Sequence, residues 1–321
     1  MKLLKLIFLL LIPFWYCSAQ ETKLLIQQQP IEDLTKYPFY QKLVDKTGTW
    51  KPEYQYLDSI EIYTITYLSD GLKVNGLMAK PKQEGNFPCI IYNRGGNRDF
   101  GQLVVAHGAL LLGNLAKEGY VVMASQYRGN GGSEGQEEFG GSDVNDVLIL
   151  TEVLKEIEGA DTERIGMYGW SRGGMMTYLA LSKTDKIKTA VVGGAISDLE
   201  AMIEDRPEME TGVLSEVIPQ YQNNKALELE KRSAIKWAEK LPENTPLLIL
   251  HGNADWRVKC DQSIRMALEL DKLRKPYRLV IFEGADHGIS EHRAEVNDLV
   301  SKWFTTYLKG ESLPNMEYHG R

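Results

Sequence analysis

The chain has 321 residues, 43% of them hydrophobic and 25% charged, with a formal net charge of −7. This is the make-up of a folded globular protein, large enough for one sizeable α/β domain or two small ones. The acidic balance, with no Lys/Arg stripe interleaved with aromatics, argues against a nucleic-acid surface; the densest basic run, Lys272-Leu273-Arg274-Lys275, fits a solvated helix terminus.

Residues 1–19 read as an export signal: Lys2 and Lys5, an apolar run from Leu6 to Tyr16, then Cys17-Ser18-Ala19 as a small-residue cleavage site. The run is shorter than the roughly 20 residues that span a bilayer as a helix. No later segment is longer and apolar, so no stable membrane insertion is expected. A periplasmic or extracellular location follows, with lipid anchoring through Cys17 as the alternative. Cys89 and Cys260 are the only cysteines beyond the cleavage site and are expected to be free. No C-x-x-C or H-E-x-x-H spacing points to a metal, and no cofactor is expected.

Residues 20–58 are polar and predict an N-terminal extension with a helix over Ile31–Val44. Ser59–Leu68 alternates as a half-buried strand, Asp70-Gly71 turns, and Leu72–Ala79 returns. Phe87–Tyr92 is a buried strand running into Asn93-Arg94-Gly95-Gly96-Asn97. A helix over Gln102–Lys117 and a strand over Tyr120–Ser125 follow, then a glycine-dense loop through Gly135. Asp143–Ile157 is an amphipathic helix. A short strand through Ile165, Met167 and Tyr168 precedes a helix over Arg172–Leu181 and a strand over Lys188–Gly193. Residues 197–243 hold charge-rich helical segments (Leu199–Ile203, Thr211–Tyr221, Ser233–Lys240). The chain closes with strands Leu247–His251 and Tyr277–Phe282, helices Asp261–Lys272 and Arg293–Leu308, and a tail at 310–321. A hairpin followed by alternating strands and helices predicts an α/β class. The expected architecture is a mostly parallel sheet of about eight strands, flanked by helices, over residues 59–309.

In such sheets the reactive groups collect at the carboxyl ends of the strands. There the sequence places Gly169-Trp170-Ser171-Arg172-Gly173, a G-x-S-x-G turn between strand and helix. The turn forces the serine into a strained conformation, and the flanking glycines remove the Cβ atoms that would collide. Its hydroxyl then stands at a helix N-terminus, where developing negative charge is favoured. A serine alcohol needs a base, and the base needs an acid to hold its tautomer. Of five histidines, His107 lies within a helix and His319 in the tail. His251 precedes the candidate acid, and His292 opens the last helix. His287, in Gly284-Ala285-Asp286-His287-Gly288, follows the last strand directly and is the expected base. Asp255, following the preceding strand, is the expected acid, with Asp286 as a rival. The order Ser171, Asp255, His287 is the one that successive strand ends would produce.

A tetrahedral intermediate also needs preorganised donors for its oxyanion. The backbone N–H of Arg172 supplies one, and Arg94-Gly95-Gly96 the other. Trp170, Tyr127 and Trp256 neighbour these loops and are expected to line the substrate pocket. Gly131-Gly132 either line it too or pass beneath the nucleophile turn. In residues 197–243, Met202, Met209, Val213, Leu214, Ile218 and Tyr221 form an apolar set that either undersides a lid or packs on the body.

Together, Tyr127-Arg128-Gly129-Asn130-Gly131-Gly132, Gly169-Trp170-Ser171-Arg172-Gly173-Gly174, His251-Gly252-Asn253-Ala254-Asp255 with Val258, and Asp286-His287-Gly288 resemble an α/β-hydrolase. More narrowly, they resemble the catalytic domain of the prolyl oligopeptidase family. The resemblance implies a serine hydrolase with Ser171 as nucleophile, His287 as general base and acid, and Asp255 as its orienting carboxylate. It implies a peptide or amide substrate cleaved through an acyl-enzyme, with a carboxylesterase acting on small or sugar-linked esters as the alternative. The partner would be a small molecule or short peptide, and the oligomeric state is left open. Two departures stand out. Fewer than 60 residues precede the first expected strand, so the family's large N-terminal β-propeller has no counterpart in them. Arg94 stands where several members have an oxyanion-binding tyrosine, so its guanidinium or the Gly95 backbone must serve, unless Arg94 binds a substrate carboxylate.

Overall fold

The computed structural model describes residues 23–310 and 313–317. The expected export signal at 1–19 lies outside the described residues. Among the described residues, nine strands form a single sheet: β1 (Leu25–Pro30), β2 (Ile60–Ser69), β3 (Leu72–Pro81), β4 (Phe87–Asn93), β5 (Val121–Ser125), β6 (Ala160–Trp170), β7 (Ile187–Gly193), β8 (Leu247–Gly252) and β9 (Tyr277–Phe282). Their spatial order is β1-β2-β3-β5-β4-β6-β7-β8-β9. The pairings from β1 to β5 are antiparallel; those from β5 through β9 are parallel.

The helices cover both faces. Helix α1 (105–116) and the closing α7 (Arg293–Leu308) pack on one side, with Ala109, Leu112, Leu115, Val300 and Phe304 against Ile90, Val122 and Leu248. On the other side lie α2 (144–156), α3 (Arg172–Leu181) and α6 (Asp261–Lys272), with Val147, Leu150, Met176 and Met266 against Cys89, Ile91 and Ile249. Alternate β4 residues thus enter opposite layers, the period of two that a pleated strand imposes. Burying one such Phe or Leu stabilises the fold by about 1.5–3 kcal/mol. Gly166 on β6 makes room for the α7 layer: a Cβ there would lie 2.8 Å from Phe304 Cε1.

The extension departs from expectation. Ile31–Val44 is not one helix; Leu25–Pro30 is a ninth strand on β2, followed by short helical segments at Leu34–Lys36, Tyr40–Leu43 and Pro52–Ser59. Polar Gln27, Gln28 and Gln29 disguise the strand because its outer positions face solvent. Residues 199–240 are largely helical, with α4 (Leu199–Asp205), short consecutive helical segments over 207–217, and α5 (Tyr221–Lys231). Leu214, Ile218, Tyr221 and Leu229 join the same core as β6 and α3. Arg232 donates to Phe139 O at 2.9 Å and to Glu138 O at 3.0 Å, tying the insertion to the body. Of the glycine-dense loop, the Gly131-Gly132 tip neither lines the cavity beside Ser171 nor meets the nucleophile turn. It folds back on β3, where Asn75 N donates to Ser133 Oγ and Asn75 Nδ2 to Gly131 O, both at 3.0 Å.

Candidate active site

The turn from β6 into α3 is as tight as its sequence demands. Ser171 has φ 58° and ψ −124°, a left-handed conformation that a non-glycine residue holds only under constraint. A Cβ on Gly169 would lie 2.1 Å from Gly173 O, and one on Gly173 would lie 1.9 Å from Asn93 O. Glycine at both positions lets the backbone turn and lets α3 start against the end of β4. The turn is anchored by Ser171 N donating to Gly193 O at 2.8 Å and Gly174 N to Ser171 O at 2.9 Å.

From the two last strands come Asp255 and His287. His287 Nδ1 and Asp255 Oδ2 are 2.6 Å apart, which leaves Nε2 without a partner among the described residues. Both side chains press on Gly194, next to the carbonyl that holds Ser171 N. A Cβ at Gly194 would lie 3.2 Å from His287 Cε1 and Nδ1 and 3.4 Å from Asp255 Oδ2. Asp255 Oδ1 accepts backbone N–H bonds from Arg257 at 2.8 Å and Val258 at 3.0 Å. Burial pushes the Asp255 carboxyl up, but hydrogen bonds from His251 and His287 outweigh it and hold it well below the ordinary carboxylate range. It is therefore an anion at neutral pH, able to fix the His287 tautomer and balance an imidazolium. Asp286 turns the other way, accepting from Gly288 N and Ser290 N within its own loop. Ser171 Oγ and His287 Nε2 are not hydrogen-bonded here; such bonds commonly tighten only in the substrate complex.

Ser171 opens on a cavity of about 240 Å³. Phe100, Phe139, Ile196, Met202 and Met209 give it apolar walls, and Arg206, Trp256 and Arg257 stand in its lining as well. Trp256, two-thirds exposed, lies within 5.1 Å of the Arg206 guanidinium and 5.4 Å of that of Arg257. Met202, Arg206 and Met209 belong to the helical insertion.

Three expected site residues are placed otherwise. Tyr127 does not line the pocket: it is fully buried, and its hydroxyl donates to Arg94 O at 3.0 Å. The Arg94 guanidinium does not face substrate. It turns into the protein, donating from Nε to Gln126 O at 3.0 Å and from Nη1 to Gly95 O at 3.2 Å. This guanidinium is buried and bonds carbonyls of two different loops, so neither oxyanion nor substrate carboxylate reaches it. Trp170 lies on the histidine side of the turn, outside the cavity lining, its indole N–H donating to His287 O at 2.8 Å. Gly95 packs directly on the serine; a Cβ there would be 3.3 Å from Ser171 Cβ. Arg172 starts α3, and its first-turn N–H groups are free of helix acceptors by geometry.

Sequence reasoning passed over three partners. His251, completely buried, accepts at Nδ1 from Ser263 Oγ at 2.6 Å. Its Nε2 faces Val258 O at 2.8 Å and Asp255 Oδ2 at 3.2 Å. A carbonyl only accepts, so Nε2 carries the proton and His251 is a second donor toward Asp255. Its place four residues before Asp255, at a strand end, was the available signal. Glu137 and Asp143 both pair with the buried Arg172 guanidinium, Asp143 at 2.7 Å; no local motif announces them. No cluster of three or more potential metal-ligating side chains occurs among the described residues, nor any helix long and apolar enough to cross a membrane.

Residues 110–311 match the prolyl oligopeptidase family. The chain is 33% identical over 247 residues to the uncharacterized peptidase YtmA of Bacillus subtilis (strain 168), covering 76% of this chain and 93% of that protein. It is 25% identical over 247 residues to the acylamino-acid-releasing enzyme of Rattus norvegicus, covering 72% and 33% respectively. A solved acylaminoacyl peptidase in complex with Z-Gly-Gly-Phe-chloromethyl ketone superposes with a TM-score of 0.68 at 27% identity, over 80% of this chain and 43% of that one. The chain thus spans nearly all of YtmA but less than half of the other two. With the fold and these matches together, the chain belongs to the prolyl oligopeptidase family and is a serine hydrolase of the α/β-hydrolase fold.

Proposed function

We propose that this protein is a peptidase that cleaves short peptides or acylated amino acids after a large apolar residue, through an acyl-enzyme on Ser171. The observation that carries it is the 2.6 Å Asp255–His287 pair brought against the strained Ser171 turn at the mouth of an apolar cavity. His287 Nε2 takes the Ser171 proton as Oγ adds to the substrate carbonyl. The carbonyl oxygen becomes an oxyanion received by N–H groups of Arg172 and of Gly95 or Gly96. His287 then gives its proton to the leaving amine as the C–N bond breaks, and a water activated by His287 releases the acyl group. The Asp255 carboxylate stays ionised throughout. Phe100, Phe139, Ile196, Met202 and Met209 would receive the side chain on the acyl side; the phenylalanine-bearing inhibitor in the similar acylaminoacyl peptidase supports that choice. Trp256, Arg206 and Arg257 would meet the rest of the peptide.

Ser171→Ala should abolish hydrolysis of both aminoacyl-naphthylamides and p-nitrophenyl esters at nearly unchanged melting temperature. A peptidase should keep substantial turnover on the amide despite its poorer leaving group. Turnover confined to acetyl esters would favour the carboxylesterase instead, and full activity of the alanine variant would remove Ser171 from the mechanism. We also propose export with cleavage after Ala19, supported by Lys2, Lys5 and the apolar run. Intact mass of the secreted protein should show Gln20 at its N-terminus; an acylated Cys17 would show the lipid-anchored form.

A further inference from the structure

Three consecutive carbonyls at the end of β4 are each gripped by a different buried side chain. Arg94 O accepts from Tyr127 Oη at 3.0 Å, Gly95 O from Arg94 Nη1 at 3.2 Å, and Gly96 O from Arg172 Nη1 at 3.0 Å. The three side chains also touch one another: both guanidinium carbons lie 5.1 Å from the centre of the Tyr127 ring. Each is 1% exposed or less. All peptide bonds here are trans, so each N–H points opposite the carbonyl of its own plane. Carbonyls drawn inward therefore turn the N–H groups of Gly95 and Gly96 outward, and neither has an acceptor among the described residues. Outward is the side of Ser171: Gly95 packs on its Cβ, and Gly96 and Asn97 line the cavity with it.

The clamp is itself held from behind. Tyr127 sits at φ 66°, a conformation a bulky residue adopts only when its surroundings impose it. Tyr127 N donates to Ser125 Oγ at 2.8 Å, and the next residue, Arg128, donates from N to Asp146 Oδ2 at 2.7 Å. Arg172 is fixed by Glu137 and by Asp143, and lies 4.6 Å from the Phe139 ring centre. Glu137 Oε2 also accepts from Arg98 N at 2.7 Å, securing the far end of the same loop. Burial raises the Tyr127 hydroxyl well above its ordinary pKa, so it stays a donor.

We propose that Tyr127 and Arg94 are positioning residues that lock the Arg94–Gly95 and Gly95–Gly96 peptide planes, so that the N–H groups of Gly95 and Gly96 are already aimed at the oxyanion, while Arg172 holds the next plane, Gly96–Asn97. The inference rests on the reading of Ser171 as nucleophile. It assigns Tyr127 and the Arg94 side chain a role in the transition state although neither touches substrate. A donor held in place costs no reorganisation when charge develops; one free to swing does.

The test uses Tyr127→Phe, which removes one oxygen at constant shape, and Arg94→Lys, which keeps the charge but loses the fork. Removing an oxyanion donor outright costs about 10²–10³ in kcat; loosening one should cost about 10- to 100-fold, with KM for a peptide anilide unchanged. A peptidyl trifluoromethyl ketone adds Ser171 Oγ to its carbonyl and leaves an oxyanion in the same place. Its inhibition constant should rise by the same factor as kcat falls, while a non-reactive peptide alcohol of the same sequence binds as before. A purely structural role would instead lower melting temperature and alter KM or alcohol binding, without the matched loss of ketone affinity. That pattern, or kcat within twofold of wild type in both variants, overturns the clamp. Wild-type protein that is active and labelled at Ser171 beside unaffected variants sinks the clamp alone; failure of the wild type to react at Ser171 sinks the nucleophile assignment with it.

Discussion

Asp255 accepts two backbone N–H bonds and one from His287, and His251 Nε2 lies 3.2 Å from its Oδ2. This residue shows how far the primary structure exposed the site. Ser171, Asp255 and His287 were legible because each sits in a local motif immediately after a strand. His251 was not singled out, because a buried histidine acting on an acid looks in sequence like an ordinary strand end. The surroundings of Asp255 also give a pH expectation. Its folded pKa lies below the ordinary 3.8, so its ionised form contributes stability that is fully present above that value. That contribution is lost as pH falls toward the depressed folded value. The stability difference between wild type and Asp255→Asn, from denaturant unfolding, should shrink as pH falls below about 4. A difference that stayed constant or grew on acidification below that pH would contradict the assignment of a stabilised carboxylate.

Among the elements, the β6–α3 turn was predictable in its backbone geometry, since Gly169 and Gly173 leave no room for a side chain. The loop after β4 was not. A sequence can suggest that Arg94 faces substrate, but only packing shows its guanidinium spent on Gln126 O and Gly95 O. Tyr127 misled for the same reason: aromatic residues in a glycine-rich loop commonly line pockets, and here a left-handed φ turns the ring inward. The insertion is a further case, its apolar positions serving two ends. Leu214, Ile218, Tyr221, Met202 and Met209 all join the core, and the two methionines also line the cavity. If those methionines set acyl-side size, Met209→Trp should cut kcat/KM for a phenylalanine anilide at least about tenfold relative to an alanine anilide, the scale expected when pocket volume changes by a few methylenes. Equal losses on both substrates would place Met209 in packing only.

At the scale of the whole molecule, one sheet unites hairpin, nucleophile strand and histidine strand, so the site depends on a register running across all nine strands. The parallel strands and helices were legible through their apolar runs; β1 was not, because only Leu25 of its six residues is buried. Its presence still matters. Leu24 N and Leu25 N both donate to the Glu156 carboxylate, pinning β1 to the end of α2, and β1 shields the long edge of β2. A chain beginning at residue 59 should therefore expose that edge and associate. Light scattering should show aggregates that the chain beginning at residue 20 does not form, and equal solubility of both would contradict a protective role for β1. The same sheet places three side chains distant in sequence along one rim, and the assignment of catalysis to them is most directly tested by covalent capture. Treatment with a fluorophosphonate followed by peptide mass spectrometry should find one adduct per chain, on Ser171, with residual hydrolysis falling in step with its formation. An adduct on another residue, or hydrolysis that persists once Ser171 is fully modified, would contradict it.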